Sequence, residues 1–454
     1  MRVFTIPLLA RNSWTGFCSN KFIRNAGIIG GGSALGHLFT LAAGPILTRV
    51  YGPDEFGALG LFTSLLSILA VAATLQYEIS IVIGKDEQEA AYLTFGSLLL
   101  TIPVSLLGGG FLWLLIHESL LGYGSLPWFA PILMTVSVAL IGCFSALRYW
   151  TLREGQFAWI AQASVAQSST RAILQTVFGF VGLRLFGLLL GETLGRGMGI
   201  SRTLRGSWPV LRRHAQRFQW HDLACALGRH RKFPLYSFPS SFLDAVCVGF
   251  PLPLLVYMYG VSFGGQYSLV WKAVSVPSVL ISAAVADTFH NTLATCARET
   301  PKRVMRLFCT SSVGLFLVGL FPAIALILWG QMLFACIFGA RWASAGTMAA
   351  IIAPWYLAQF VVSPLSRVVV VLSGQESKLA WDVLCLASLA LVFFIAHSMR
   401  LAPLQTLRVL TATYALLYVA YYLILRQIIV RFNRLHSSTN LQALPLRKEP
   451  LCAE

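Results

Sequence analysis

Two long apolar runs joined by a short polar turn constrain this chain more than any other feature. Gly27–Val50 holds no acid and one cation, Arg49, and Phe56–Tyr77 holds no charge before Glu78. Between them the chain reads Leu47-Thr48-Arg49-Val50-Tyr51-Gly52-Pro53-Asp54-Glu55-Phe56-Gly57. Each run exceeds the roughly 20 apolar residues that a helix needs to cross a bilayer core. The stretch 25–78 therefore reads as a hairpin of two membrane helices. Composition extends this to the whole length: 57% of the 454 residues are hydrophobic and 11% are charged, where soluble domains carry about 25% charged residues. The expected fold class is an all-α polytopic membrane protein.

About twelve transmembrane helices can be placed, at 27–50, 56–82, 90–116, 127–150, 157–181, 183–200, 234–257, 266–289, 305–329, 346–372, 379–399 and 403–425. Hydropathy is weakest in the fifth and sixth, which Arg171, Arg184 and Glu192 interrupt. With the N-terminus inside, 26 of the 34 Lys and Arg fall on the cytoplasmic face. Five fall outside (Arg49, Arg184, Arg341, Arg400 and Arg408), and the last three, Arg171, Lys272 and Arg367, lie at membrane depth. Cations collect on loops that stay in the cytoplasm, so both termini are expected there. The formal charge of +17 is then a mark of topology and not of nucleic-acid binding. The nine cysteines are scattered without metal or disulfide spacing and read as small core residues. The N-terminal patch Met1–Ala10 is too short and Pro-broken for a secretory signal, so the first helix is expected to serve as an uncleaved anchor.

Four regions follow: a six-helix bundle over 1–200, a basic cytoplasmic linker over 201–232, a second six-helix bundle over 233–430, and a cytoplasmic tail over 431–454. The linker, with Arg202, Arg205, Arg212 and Arg213, is either a positive-inside connection or a surface helix on anionic headgroups. An internal repeat is visible. Tyr51-Gly52 closes the first turn with Glu78 following, and Tyr259-Gly260 stands at the matching turn with Asp287 following. Ser64–Thr74 aligns with Lys272–Ser282, both small and β-branched. Two halves of six crossings would be related by an axis along the membrane normal.

Charges at membrane depth are costly unless they face a cavity or a partner. Arg171 shares one face of the fifth helix with Ser164, Gln167, Ser168 and Gln175, and Lys272 shares a face of the eighth with Ser268 and Ser275. Arg367 stands with Gln359 and Ser363 on the tenth, and Asp244 with Ser237 and Ser241 on the seventh. On the second helix Thr63, Ser67 and Thr74 lead to Glu78. One reading pairs Asp244 with Lys272 or Arg171 as a buried strut. The other notes three deep cations against one deep acid, a surplus that an anionic substrate would neutralise. Arg suits this role because its planar fork binds phosphate oxygens bidentately. Substrate contacts are therefore expected from Arg171, Lys272, Arg367, Gln167, Gln175, Ser275 and Gln359, and ion coupling from Asp244 and Glu78. Gly30-Gly31-Gly32 and Gly36 fit a close-packing face or a hinge. His37 fits a satisfied core histidine or a proton relay. The sequence has no Walker A motif, no Asp-x-Asp and no catalytic triad, so neither an enzyme, a cofactor nor a metal is expected.

The opening hairpin, with Leu75-Gln76-Tyr77-Glu78-Ile79-Ser80-Ile81-Val82-Ile83-Gly84-Lys85-Asp86 after it, resembles the bacterial oligosaccharide flippase (O-antigen or polysaccharide transporter) family. That family is a branch of the multidrug/oligosaccharidyl-lipid/polysaccharide exporter (MOP) superfamily. Arg49, Tyr51, Gly52, Pro53, Phe56, Gly57, Tyr77 and Glu78 carry the likeness, with Arg49, Tyr51 and Gly52 as gate or motif positions. Gln76 and Gly84 stand where many relatives have Arg and Pro. The resemblance implies a MATE-like two-bundle fold in the bacterial inner membrane that opens alternately to each side. It implies movement of undecaprenyl-pyrophosphate-linked oligosaccharide to the periplasmic leaflet, for O-antigen, capsule or exopolysaccharide synthesis. The partners under this reading are the lipid-linked oligosaccharide, membrane lipid and a polysaccharide polymerase or other assembly proteins. Two alternatives stay open: an ion-coupled multidrug exporter of the same superfamily, and a flippase for peptidoglycan lipid precursor.

Overall fold

The computed structural model describes residues 21–216, 218–300, 303–372 and 375–442, and among these every regular element is helical. The first residues, expected to precede an uncleaved anchor, and the end of the expected tail lie outside this range. Six long helices come first: α1 Lys21–Val50, α2 Pro53–Ala72, α3 Glu87–His117, α4 Ala130–Arg153, α5 Phe157–Phe180 and α6 Arg184–Ala215. The short α7, Trp220–Arg229, follows. Then come α8 Phe238–Gly249, α9 Pro251–Tyr259, α10 Val261–Glu299, α11 Val304–Phe338, α12 Ala343–Leu365, α13 Arg367–Val371, α14 Gln375–Ser398 and α15 Pro403–Gln442. Eight helical stretches among the described residues are long and apolar enough to cross a membrane. The other four expected positions hold α1, α5, α6 and α10, of 30, 24, 32 and 39 residues. This is a multi-pass membrane protein.

Several ends differ from the sequence reading, each for a local reason. The second crossing, expected unbroken over 56–82, stops at Ala72 and resumes as a short turn, Tyr77–Ser80, because Leu75 and Gln76 take positive φ of 50° and 64°. The seventh is split at Phe250, ahead of Pro251 and Pro253, which lack the N–H that a continuous helix needs. The tenth breaks at Ser366, two residues after Pro364. The basic stretch 201–232 is largely helical: α6 runs through it to Ala215, and α7 buries Leu223 and Ala226 against a cluster with Tyr92, Leu93 and Trp150. Arg229 pairs there with Glu89, at the start of α3. The last helix runs on to Gln442, past the expected end at 425.

The chain forms two compact units, Met1–Leu280 with Gln331–Met348 and Ile281–Gly330 with Ala349–Glu454. The second has a core of Phe308, Leu293, Leu365, Val368, Leu425 and Ile429, with Trp381 stacked on Tyr421 at 4.4 Å between ring centroids. In the first, small residues let helices approach closely, the usual basis of helix association in lipid. A Cβ at Gly32 would lie 2.6 Å from the Cα of Ala161, and one at Gly36 would lie 2.8 Å from Ser168 Oγ, so α1 packs on α5 at these two positions. Gly191, Gly195 and Gly199 of α6 meet Gln175, Arg171 and Gln167 of α5 in the same way. Glycine every fourth residue on one helix thus faces a polar residue every fourth on its antiparallel neighbour.

The turns of the internal repeat also meet. At the offset of 208 residues that takes Tyr51 to Tyr259, Pro53 matches Val261 and Gly57 matches Gly265. A Cβ at Gly57 would run into the Val261 carbonyl, and one at Gly265 into the Pro53 carbonyl. Gly60 faces its own counterpart, Ser268, whose Cβ would be 3.0 Å away. These reciprocal contacts are what a two-fold relation between the turns requires.

Candidate substrate cavity

The first hairpin turn is held by its own motif residues. Gly52 N–H donates to Glu55 Oε2 at 2.9 Å, and Pro53 opens α2. Tyr51 is fully buried and donates its hydroxyl to the Gln175 carbonyl of α5 at 2.8 Å. Burial, and then the carboxylate of Glu55, push this phenol up to about 12, so it stays a donor at any physiological pH. Trp342 Nε1 donates to the Thr48 carbonyl at 3.0 Å, and Arg341 Nη2 to the Arg49 carbonyl at 3.3 Å. Arg49 itself is exposed and turns back to the Pro45 carbonyl at 3.1 Å. These residues fix where α5 stands against α1 and α2.

That placement matters because Gln175 also points inward. Its Nε2 donates to the Leu188 carbonyl at 3.2 Å and to Glu192 Oε2 at 3.4 Å. Glu192, on α6, is 4% exposed and is the hub of the site. Its Oε1 accepts from Arg196 Nη2 at 2.6 Å and from Arg171 Nη1 at 3.3 Å. A lone carboxylate at such depth would cost several kcal/mol, and the two guanidiniums offset this. Arg171 Nη2 also reaches Thr40 Oγ1 at 3.4 Å, and Gln167 Nε2 donates to the Arg196 carbonyl at 2.7 Å.

These groups line a cavity of about 300 Å³ between α1, α2, α5, α6, α10 and the end of α11. Lys272 and Ser275 enter it from α10, and Phe338 from α11. Lys272 Nζ stands 5.9 Å over the Phe56 ring, a cation–π arrangement. Among the lining residues three are basic, Arg171, Arg196 and Lys272, and one is a carboxylate, Glu192, with His37 beside them. The excess is two positive charges. Hydroxyls of Thr40, Thr63 and Ser275 complete the polar part of the wall, with Leu41, Leu47 and Leu269 as the apolar part.

The structure thus brings together Arg171, Gln175, Lys272 and Ser275 of the expected contacts, and Gln167 supports the cluster from behind. Arg367 and Gln359 belong to the other compact unit, Arg367 exposed on α13 and Gln359 half-buried on α12. The acid within the cavity is Glu192, paired with Arg171 and Arg196; Asp244 is exposed on α8 and is not among the lining residues. Glu78 is buried away from it. Its carboxylate accepts from Thr74 and, at 3.4 Å, from Ser145. In the sequence Glu192 reads only as a break in hydropathy, and Arg196 as one of the cytoplasmic cations. The signal that finds them is Gly187, Gly191, Gly195 and Gly199, one small residue every fourth position. Such a row marks the packed face of α6, and Glu192 and Arg196 lie four apart immediately beside it.

No family model matches the chain. Among curated proteins it is similar to the succinoglycan biosynthesis transport protein ExoT of Rhizobium meliloti (strain 1021), 23% identical over 346 residues. That match takes in 74% of this chain and 66% of the relative, so the chain spans about two thirds of the relative's length. Among solved structures it is similar to an inward-facing multidrug resistance MATE family transporter of the MOP superfamily. The TM-score is 0.70 and the identity 16%, over 88% of this chain and 96% of that one. A second is a MOP superfamily transporter from Pyrococcus furiosus Vc1 (DSM3638), described as having a binding pocket of reverse polarity that suggests a different function. Its TM-score is 0.55 and its identity 12%, over 90% and 96% of the two chains. The fold is therefore that of the MATE-like members of the MOP superfamily, as the opening hairpin implied.

Proposed function

We propose that this chain is a transporter of the MOP superfamily that flips undecaprenyl-pyrophosphate-linked oligosaccharide from the cytoplasmic to the periplasmic leaflet of a bacterial inner membrane. The observation that carries this is the sign of the cavity: three cations around one buried carboxylate, inside a transporter fold. A pyrophosphate joining a lipid to a sugar bears one negative charge on each phosphate, which matches the excess. Arg171 and Arg196 supply planar donors for phosphate oxygens, Lys272 a mobile point charge, and Thr40, Thr63 and Ser275 hydroxyls that suit a sugar. Glu192 holds the two arginines in place while no anion is bound, and the substrate competes with it for them. The similarity to a succinoglycan transport protein supports a surface-polysaccharide precursor as cargo. The expected plan of two six-helix bundles, with both termini in the cytoplasm, belongs to this proposal, as does alternating access driven by an ion gradient or by consumption of the product.

A multidrug exporter of the same fold would favour cationic drugs and so an acidic cavity. In proteoliposomes carrying lipid-linked oligosaccharide, the wild type should flip the substrate and Arg171→Gln/Arg196→Gln/Lys272→Gln should lose at least tenfold in rate at equal insertion. A triple variant that flips at the wild-type rate, or a wild type that moves cationic drugs instead, contradicts the reading.

A further inference from the structure

The first hairpin turn leaves two carbonyls for another part of the chain. Thr48 and Arg49 stand in the last turn of α1, where carbonyls lack donors from their own helix. Four residues after Thr48 is Gly52, whose N–H is turned to Glu55 Oε2. Four after Arg49 is Pro53, which has no N–H to give. One segment takes both carbonyls: Trp342 Nε1 donates to Thr48 and Arg341 Nη2 to Arg49. That segment, Gln331–Met348, joins α11 to α12 and belongs to the first compact unit, while the chain on either side of it belongs to the second.

The same segment closes one end of the cavity. Leu47, Phe56 and Phe338 line the cavity at the turn and are buried. Trp342 backs them, fully buried, with its ring centroid 5.1 Å from that of Phe56 and the planes at 73°. A Cβ at Gly44 would lie 3.4 Å from the Phe338 ring, so α1 and the segment meet there without a gap. At the other end of the cavity, about 15 Å along α1, His37 and Arg196 are only half-buried. Lys272 touches the closed end, with its ammonium over the Phe56 ring.

We propose that Gln331–Met348 is a gate that seals the cavity at the hairpin turn, and that an anion in the cavity loosens it through Lys272. The attachments suit a gate. Two hydrogen bonds to main-chain carbonyls and a set of ring contacts hold it, and among the described residues no ion pair fixes it. When it lifts, Trp342, Arg341 and the two carbonyls exchange each other for water, at a small net cost per bond. Phe56 is the shared partner of Lys272 and Trp342. An anion held by Arg171 and Arg196 draws the Lys272 ammonium off the Phe56 ring, which ends the cation–π attraction and leaves Trp342 its carbonyl alone. The inference rests on the transport reading above and adds what keeps the release side shut until cargo is aboard.

The test uses the full-length protein in oriented vesicles. Leu41→Cys puts a thiol in the cavity wall, a membrane-impermeant maleimide is added to one face at a time, and mass spectrometry reads that position alone. Without ligand, labelling should be far faster from the face opposite the turn. Trp342→Phe keeps a ring and drops the N–H, and should speed labelling from the turn face on the order of fivefold while inorganic pyrophosphate still binds as in wild type. Pyrophosphate should speed it by a similar factor when Trp342 is present, and not in Lys272→Gln. Equal labelling from both faces without ligand, or a Trp342→Phe rate equal to that of wild type, overturns the gate. Pyrophosphate that binds and leaves the labelling unchanged overturns the link through Lys272. If pyrophosphate does not bind while Trp342→Phe still opens the turn face, the gate stands and the transport reading fails.

Discussion

The opening hairpin and its echo 208 residues later share a backbone contact and differ in charge. Pro53, Gly57 and Gly60 meet Val261, Gly265 and Ser268 reciprocally, so the turns are equivalent as frames. One turn of helix further on, Ser64 and Lys272 occupy the same position in the repeat. Ser64 is 9% exposed, donates to the Leu61 carbonyl at 3.0 Å and lies 3.5 Å from the buried Tyr123 hydroxyl. Lys272 instead opens onto the cavity over Phe56. One copy seals a helix contact where the other places a cation. The two copies share a backbone frame, and single positions within it differ in charge.

Four substitutions probe this difference, in descending order of effect. Ser64→Lys makes the first copy like the second, but drives a charge beside Tyr123 where no cavity receives it. An uncompensated buried charge costs about 3–5 kcal/mol, read as a large fall in thermal unfolding temperature in detergent. An unchanged temperature would mean that the position is wet and the contrast is false. Gly57→Ala and Gly265→Ala each push a Cβ into the opposite backbone and should cost similar amounts, about 2 kcal/mol. A clear inequality between them would break the symmetry of the turns. Tyr51→Phe removes one hydrogen bond to the Gln175 carbonyl and should cost about 1 kcal/mol. A larger loss of transport than of stability would show that the turn orients Gln175 toward Glu192.

Much of the fold was legible because long uncharged runs in a chain with so few charges leave little choice but membrane helices. The breaks were less so. Those at Phe250 and Ser366 stand near prolines that are visible in the sequence, but the one at Leu75 and Gln76 depends on positive φ values with no glycine to announce them. In the site, stripes of polar residues identified Arg171, Gln175, Lys272 and Ser275, since a face of a helix is a property of spacing alone. Glu192 and Arg196 were missed because an acid on a poorly hydrophobic helix lowers the very hydropathy that marks a span. Which acid meets which cation depends on helix packing, and so Asp244 could not be told from Glu192 by spacing.

The central claim is that the cavity is built for an anion, and titration of inorganic pyrophosphate into the purified protein tests it most directly. The account predicts saturable binding that weakens with salt and falls on the order of tenfold in Lys272→Ser, the substitution that gives the second repeat the residue of the first. Binding that Lys272→Ser leaves unchanged, or a wild type that takes a cationic drug and ignores pyrophosphate, would contradict it.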